Sequence, residues 1–224
     1  MYLIFKRAID LSVALFALII LTPFLLPIII GLRFTGEGHV FYRQERVGLK
    51  NKKFLIWKFA TMLEDSPNMN GGILTTKNDP RITPMGTFLR KSKINELPQL
   101  LNILVGNMSI VGPRPVVEVS FKSYPEEVQK IIYNVSPGLT GIGSIIFRDE
   151  EELITEVKNR GGDVFSFYKK HIYPFKGELE IFYQENKSFL LDMKIIFVTG
   201  WVIFFPQSQI YERMFKGLPQ RKVK

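Results

Sequence analysis

The chain contains no cysteine. Disulfides, thiolate nucleophiles and sulfur-ligated zinc are thereby excluded. Histidine is almost as scarce: His39 and His171 are the only two, too few for a histidine-rich metal centre. No internal repeat, low-complexity tract, aromatic RNA-binding motif or C2H2 spacing occurs in the 224 residues. Acidic residues are in deficit, 21 against 30 Lys and Arg, which leaves a formal net charge of +9 with histidine neutral. Such a balance calls for an anionic partner. The cations flank apolar segments and form no single stripe, so phosphorylated substrates or lipid headgroups are expected and nucleic acid is not. With 46% apolar and 13% aromatic residues the chain can bury a core, and its length fits one modest domain plus an anchor.

Charge is also missing from Leu11 to Leu32, twenty-two residues that as a helix would cover the hydrocarbon core of a bilayer. Within this run Thr22-Pro23 and Pro27 interrupt the helical hydrogen-bond ladder, and a kink or break is expected at Thr22 and Pro23. No small-residue cleavage site precedes Arg33, so removal as a secretory signal is not expected. Two topologies remain: a tilted span, or a helix that enters one leaflet, bends and leaves on the same side. Lys6 and Arg7 lie before the run, and Arg33, Arg43, Arg46, Lys50, Lys52 and Lys53 follow it. Basic flanks on both sides favour a re-entrant helix with both ends cytoplasmic.

The expected organisation is a re-entrant membrane hairpin over 1–35, a cytoplasmic domain over 36–194 and a C-terminal stretch over 195–224. In that stretch Ile195 to Pro206 is nearly all apolar, with Phe197, Trp201, Phe204 and Phe205, and is too short to span a bilayer. Arg213, Lys216, Arg221, Lys222 and Lys224 follow. Either an interfacial aromatic segment beside anionic headgroups or a core helix with a solvated tail fits this pattern.

The composition between these segments is that of an α+β domain, mainly helical with a small sheet or hairpin. Val40 to Tyr42 and Phe54 to Phe59 are rich in β-branched and aromatic residues and read as strands separated by the polar Gln44 to Lys53. Asp65 to Pro80, with Asn-Gly-Gly and Asn-Asp-Pro, reads as a loop. Thr83-Pro84 is an N-cap followed by proline at the first helical position, which predicts a helix to about Lys93. Leu97, Leu100, Leu101, Leu104 and Val105 predict an amphipathic helix over Leu97 to Val105, ended by Gly106. The turns Gly112-Pro113-Arg114-Pro115 and Ser136-Pro137-Gly138 punctuate a second half that reads as helical over Glu126 to Tyr133 and Asp149 to Lys158.

Residues with chemical potential cluster between Arg81 and Arg114. Arg81, Arg90, Lys91 and Lys93 lead into Asn95-Glu96-Leu97-Pro98-Gln99 at a predicted helix start, where free amides and nearby arginines favour a phosphate. Taken singly, Asn95 also reads as an ordinary N-cap, Glu96 as a complement to the helix dipole and the basic run as a solvated face.

Several longer motifs occur together in one order. They are Lys6-Arg7-Ala8-Ile9-Asp10 before the proline-interrupted helix; Phe41 with Gln44, Arg46 and Gly48; Trp57-Lys58-Phe59 with Thr61-Met62; Asn95 to Leu100; Gly106 to Pro115; Pro137 to Gly141; and Ser188-Phe189 with Leu191-Asp192. In this respect the chain resembles the monotopic phosphoglycosyl transferases, or bacterial sugar transferases, over almost its whole length. The resemblance implies an enzyme on the cytoplasmic face of a bacterial plasma membrane. It would move a sugar phosphate from a nucleotide diphosphate sugar, a UDP-sugar by expectation, to polyprenyl phosphate with Mg2+ assisting, and so start glycoconjugate synthesis. It also implies catalytic roles at positions 95 and 96, phosphate or substrate binding by Lys58, Arg90, Arg114 and Arg148, and Glu96 and Asp149 as metal ligands.

The pattern is broken where the family has its nucleophilic aspartate: Asn95 stands there, and an amide cannot act as that nucleophile. Ala60 replaces a usual Lys or Arg, Asn107 an Asp, and Ile146-Phe147 an Asn-Gly. A single engineered change at position 95 would leave the other departures unexplained. The retained Arg90, Glu96, Arg114 and Arg148 favour an active, altered transferase in which Glu96 or a carboxylate of the Asp149-Glu150-Glu151-Glu152 run takes over, as nucleophile or as metal ligand in a direct transfer. The alternative is an inactive relative that binds lipid or nucleotide sugar and works in a homo- or heterodimer with an active partner.

Overall fold

A computed structural model describes residues 2–66, 68–69, 74–76 and 78–221. The Asn70-Gly71-Gly72 part of the expected loop, and Lys222 and Lys224 of the basic tail, lie outside the described residues. The chain opens with α1 (Tyr2–Arg33), followed by the strands β1 (Phe41–Val47) and β2 (Lys53–Phe59). Then come α2 (Pro84–Lys91), α3 (Gln99–Leu104), β3 (Ser109–Val111), α4 (Glu118–Phe121), α5 (Glu126–Ile131) and β4 (Gly138–Thr140). The second half is helical: α6 (Ile142–Ile146), α7 (Glu150–Asn159), α8 (Val164–Phe167), a π turn over Tyr168–Ile172, α9 (Tyr173–Asn186), α10 (Phe189–Phe204) and α11 (Ile210–Met214). Helices with two small sheets make the expected α+β domain.

The expected hairpin forms, and its first strand is longer than the apolar run implied. β1 and β2 are antiparallel from Phe41 opposite Phe59 to Val47 opposite Lys53, so the polar Gln44 to Val47 belongs to the strand. Cross-strand contacts make this possible: Phe41 stacks on Phe59 at 5.5 Å and the Arg43 guanidinium lies 5.2 Å over Trp57. The connection turns through Lys50 and Asn51, both at positive φ (54° and 59°).

Thr83 caps α2 as its sequence predicts, its hydroxyl accepting from the Gly86 N–H at 3.0 Å. The next helix starts two residues later than expected. Lys93 adopts left-handed φ 60°, Ile94–Glu96 forms a 3-10 turn, and Pro98 precedes α3. Glu96 therefore sits on that tight turn and not in the first turn of the helix.

β3 and β4 form a parallel pair that joins the two proline turns, and it depends on glycine. A Cβ at Gly112 would stand 2.4 Å from the Ser136 carbonyl, and one at Gly138 would stand 2.1 Å from the Gly112 nitrogen. Only bare backbone allows that approach.

α1 is continuous, with Pro23 and Pro27 inside it and the Thr22 hydroxyl bonded to the Leu18 carbonyl at 2.6 Å. It is the one helix among the described residues long and apolar enough to cross a membrane, with a mean hydropathy of 2.8 over its most apolar window. Both of its ends are fixed to the same globular body. Near the N-terminus the Lys6 ammonium meets the buried Asp192 carboxylate of α10 at 2.7 Å. Arg7 donates to the Ile103 and Leu104 carbonyls that end α3, and Asp10 accepts from the Ile110 N–H. Ala14 packs with Leu100, Ile103 and Met108, while Leu25 and Leu32 at the other end pack with Phe59 and Leu89. The opposite face is bare, with Phe16 and Phe24 exposed.

The main core joins Tyr133, Ile142, Ile145, Leu179 and Tyr183. Ile195, Val198 and Phe215 belong to the same core, so the chain after residue 194 packs into the domain through one face of α10 while Phe197, Trp201 and Phe204 stay outside.

Candidate active site

The period-two alternation of the hairpin puts Gln44, Arg46, Ile56 and Lys58 on one face of the sheet, because Arg46 pairs with Phe54, Gln44 with Ile56 and Tyr42 with Lys58. α3 is locked beside that sheet by one buried side chain. Asn102 accepts the Trp57 N–H through Oδ1 at 2.9 Å and donates through Nδ2 to the Leu55 carbonyl at 2.7 Å, in the manner of a neighbouring strand. This fixes the turn carrying Glu96 above Lys58. The turn after β3 brings Arg114 from the other side.

Three charges converge there. The Lys58 ammonium donates to Glu96 Oε1 at 2.8 Å and Arg114 Nη2 donates to the same oxygen at 2.7 Å. Oε2 receives only a longer 3.4 Å bond from Arg114 Nη1 and so retains free lone pairs. Arg46, Ile56, Lys58, Gln99, Arg114 and Pro115 line a small depression beside the pair. Arg46 is anchored by Gln44 at 2.5 Å and the Pro115 carbonyl at 3.4 Å, and its buried Nε has no partner among the described residues. Three cations against one carboxylate leave the cleft with a surplus of positive charge, an environment for a phosphate or diphosphate.

Burial opposes the ionised form of Glu96, yet the Arg114 and Lys58 charges outweigh it and hold the carboxyl well below its ordinary range. Burial pushes Lys58 down to about 8, against the pull of Glu96 and with the help of Arg114 and Arg46. Burial and the Arg114 charge likewise lower Arg46 to about 10. The Glu96 charge raises Arg114.

The other expected site residues are held elsewhere. Arg90 pairs with Glu151 of α7 at 2.8 Å. Arg148 donates to the Ser208 carbonyl and lies 5.7 Å over Tyr211. Both Asp149 oxygens are taken by Arg221, at 2.7 and 2.9 Å. Asn95 is buried, and its Oδ1 has no partner among the described residues. Arg81, part of the basic run in sequence, is buried against Asp79 at 2.6 Å and shapes the loop before α2. No group of three or more His, Asp or Glu residues able to hold a metal occurs among the described residues. Sequence reasoning gave no role to Arg46, Gln99 or Asn102. Arg46 was marked only by its place in the Gln44-Arg46-Gly48 motif, and the other two look like polar positions on an amphipathic helix until the sheet is in place.

A family model described as bacterial sugar transferase matches residues 1–206. The UDP-glucose:undecaprenyl-phosphate glucose-1-phosphate transferase of Klebsiella pneumoniae is 34% identical over 92% of this chain and 41% of its own length. The exopolysaccharide production protein PSS of Rhizobium leguminosarum bv. phaseoli is 33% identical over 89% of this chain and 94% of its own. The uncharacterized sugar transferase EpsL of Bacillus subtilis (strain 168) is 36% identical over 88% of this chain and 86% of its own. The chain spans about two fifths of the Klebsiella pneumoniae and Escherichia coli glucose-1-phosphate transferases it matches.

Proposed function

The chain belongs to the bacterial sugar transferase family, and from that premise we propose that it transfers a sugar phosphate from a UDP-sugar to polyprenyl phosphate at the cytoplasmic face of the membrane, the first step of a polysaccharide. The observation that carries this reading is Glu96, held ionised between Lys58 and Arg114 in a cleft also lined by Arg46. Those three cations bind the diphosphate and offset the charge that develops on the transferring phosphoryl group.

The transfer is direct. A carboxylate with so low a proton affinity is a weak nucleophile, and Asn95 offers none. An oxygen of the polyprenyl phosphate attacks the phosphorus that carries the sugar. The bond from that phosphorus to the bridging oxygen breaks, and uridine monophosphate leaves with the electron pair. Magnesium fits the donors present: Glu96 Oε2 and the buried, unpartnered Asn95 Oδ1 are hard oxygens, and this ion completes its shell with waters and substrate phosphates. When bound it supplies neutralisation of the diphosphate. Asp149, taken up by Arg221, is not part of this set.

The same reading places α1 in one leaflet, bent at Thr22-Pro23, with both ends on the cytoplasmic side. Its two ends packed on one globular body, and the apolar side chains left exposed on α1 itself, at Leu101 and Val105 and at Phe197 and Phe204 of α10, support this. Because the chain lacks cysteine, single cysteines at Leu3 and Thr35 test it cleanly. Both should react with an impermeant maleimide in inverted vesicles and neither in intact cells, and labelling of position 3 from outside would refute the topology.

Release of uridine monophosphate from UDP-sugars, with undecaprenyl phosphate and magnesium, tests the activity. We expect turnover with inversion at a chirally labelled phosphorus and no adduct on the protein. A phosphosugar adduct on Glu96 would replace direct transfer by a two-step path. Turnover no higher than that of Glu96→Ala, with UDP-sugar still bound, would identify a binding protein that does not catalyse.

A further inference from the structure

One buried amide in the cleft has no partner. Gln99, the first residue of α3, is 2% exposed, yet its side chain makes no hydrogen bond among the described residues. Two other buried amides of the chain show the ordinary outcome. Asn102 is bonded at both ends to the β2 backbone, and Gln184 Nε2 donates to the Ile132 carbonyl at 2.8 Å. An amide taken out of water and left unpaired destabilises a fold, so such a group points to a partner that arrives from outside.

The surroundings of Gln99 define that partner. It borders the depression together with Arg46, Lys58 and Arg114, and Ile56 and Pro115 complete the lining. The three cations carry donors only. The Pro115 carbonyl already accepts from Arg46 Nη1, and Arg46 Nε is buried without a partner. A group entering this space meets unmatched donors and a surplus of positive charge, which an anionic oxygen satisfies and a hydroxyl does not. The position is also rigid, because Asn102, three residues further along α3, ties the helix to the edge of β2.

We propose that Gln99 is a phosphate-binding residue of this cleft: its amide N–H donates to an oxygen of the bound diphosphate, as an uncharged donor among three cations. The inference deepens the transferase reading, which supplies the diphosphate of a nucleotide sugar as the ligand. An uncharged donor suits the place. Burial already lowers Lys58 to about 8 and Arg46 to about 10, so a further cation packed against them would be driven towards its neutral form. An amide donates at every pH and adds no repulsion. Its hydrogen bond forms only with the ligand in place, so it acts on binding and on the charge of the phosphoryl oxygens.

The test compares the native chain with Gln99→Met, which keeps the length of the side chain and removes its polar atoms. Inorganic pyrophosphate is the probe, because it has the phosphate oxygens of the ligand and neither sugar nor base. With the full chain in lipid nanodiscs, we expect Gln99→Met to bind pyrophosphate about tenfold or more weakly, the worth of one hydrogen bond to a charged group. Its Tm without ligand should be unchanged or higher, since an unpaired buried amide has been removed. A lower Tm would show that the amide already has a structural partner, and it would overturn the proposal. Native pyrophosphate affinity, or a loss seen with UDP-glucose alone, would overturn it as well. If Gln99→Met does not fold, Gln99→Glu, nearly the same shape, takes its place: its carboxylate should repel pyrophosphate and weaken binding about 100-fold, and native affinity there would refute the contact. Pyrophosphate binding that depends on Gln99 in a chain without sugar-phosphate transfer would remove the transferase reading and leave the role of the amide standing.

Discussion

Replacing Lys58 by methionine should make the protein more stable at neutral pH while sharply slowing the proposed transfer. The ammonium is largely buried, and its ordinary value of 10.5 is pushed down to about 8 even though Glu96 lies 2.8 Å away. The folded state therefore resists the charge that the unfolded chain carries freely. At about 1.4 kcal/mol per pH unit, keeping Lys58 protonated costs the fold on the order of 3 kcal/mol at pH 7. The sign follows from proton counting. Between pH 8 and 10.5 the unfolded chain binds more protons at this site, so stability rises with pH in that window and the cost vanishes above it. Methionine has a similar stem and no charge, and Arg114 remains to pair Glu96, so Lys58→Met removes most of that cost. For a chain of this size the gain corresponds to an apparent Tm roughly 5–10 °C higher at pH 7. Loss of one of the three cations proposed to bind the diphosphate should meanwhile reduce kcat/KM by about 100-fold or more. Thermal unfolding in lipid nanodiscs at pH 7 and pH 10, with and without the substitution, checks both halves. A lower Tm for Lys58→Met at pH 7, or a gap between the two proteins that is no smaller at pH 10, would refute the reasoning.

Arg46→Met should raise KM for the UDP-sugar about 10- to 100-fold, the worth of one charge-assisted hydrogen bond, and leave the fold intact because its burial already opposes its charge; substrate-dependence curves decide. Thr83→Ala deletes the cap of α2 and should lower the Tm by roughly 2–5 °C without changing activity, as melting and turnover measured together would reveal. Gly112→Ala drives a methyl into the Ser136 carbonyl 2.4 Å away, and a Tm loss under about 3 °C in the folded fraction would argue against the close packing of the two proline turns. Asp192→Asn leaves the buried Lys6 ammonium without its counter-charge and should cost about 3–5 kcal/mol, measurable as earlier proteolysis near the start of α1.

How much of this could be read from the chain depends on how local each feature is. The cap at Thr83, the apolar run of α1 and the hairpin strands are written in consecutive residues, and all were legible. The β3–β4 pair is not: two three-residue strands carry no periodicity, and their pairing rests on bare backbone at Gly112 and Gly138. The site follows the same rule. Lys58, Glu96 and Arg114 were named from motifs and do converge, whereas Arg90, Arg148 and Asp149 have the right chemistry and are bound to Glu151, Ser208 and Arg221. Arg46 could be assigned only once the register of β1 on β2 was known, because strand parity decides whether it faces the cleft or the solvent.

In the proposed transfer the charge count of the cleft also bears on Asn95. An aspartate at that buried position would add a second negative charge beside Glu96 and cancel half of the surplus of Arg46, Lys58 and Arg114. With asparagine the surplus stays, and it is larger than a diphosphate paired with magnesium needs. A two-step enzyme meets its two phosphate substrates in succession, with one phosphate charge cluster in the cleft at a time. A one-step enzyme must hold the donor diphosphate and the acceptor phosphate together, and their mutual repulsion rises steeply as the attacking oxygen approaches. Extra fixed cations are what that arrangement requires, so Asn95 and the three-cation cleft would be consistent parts of the proposed in-line displacement.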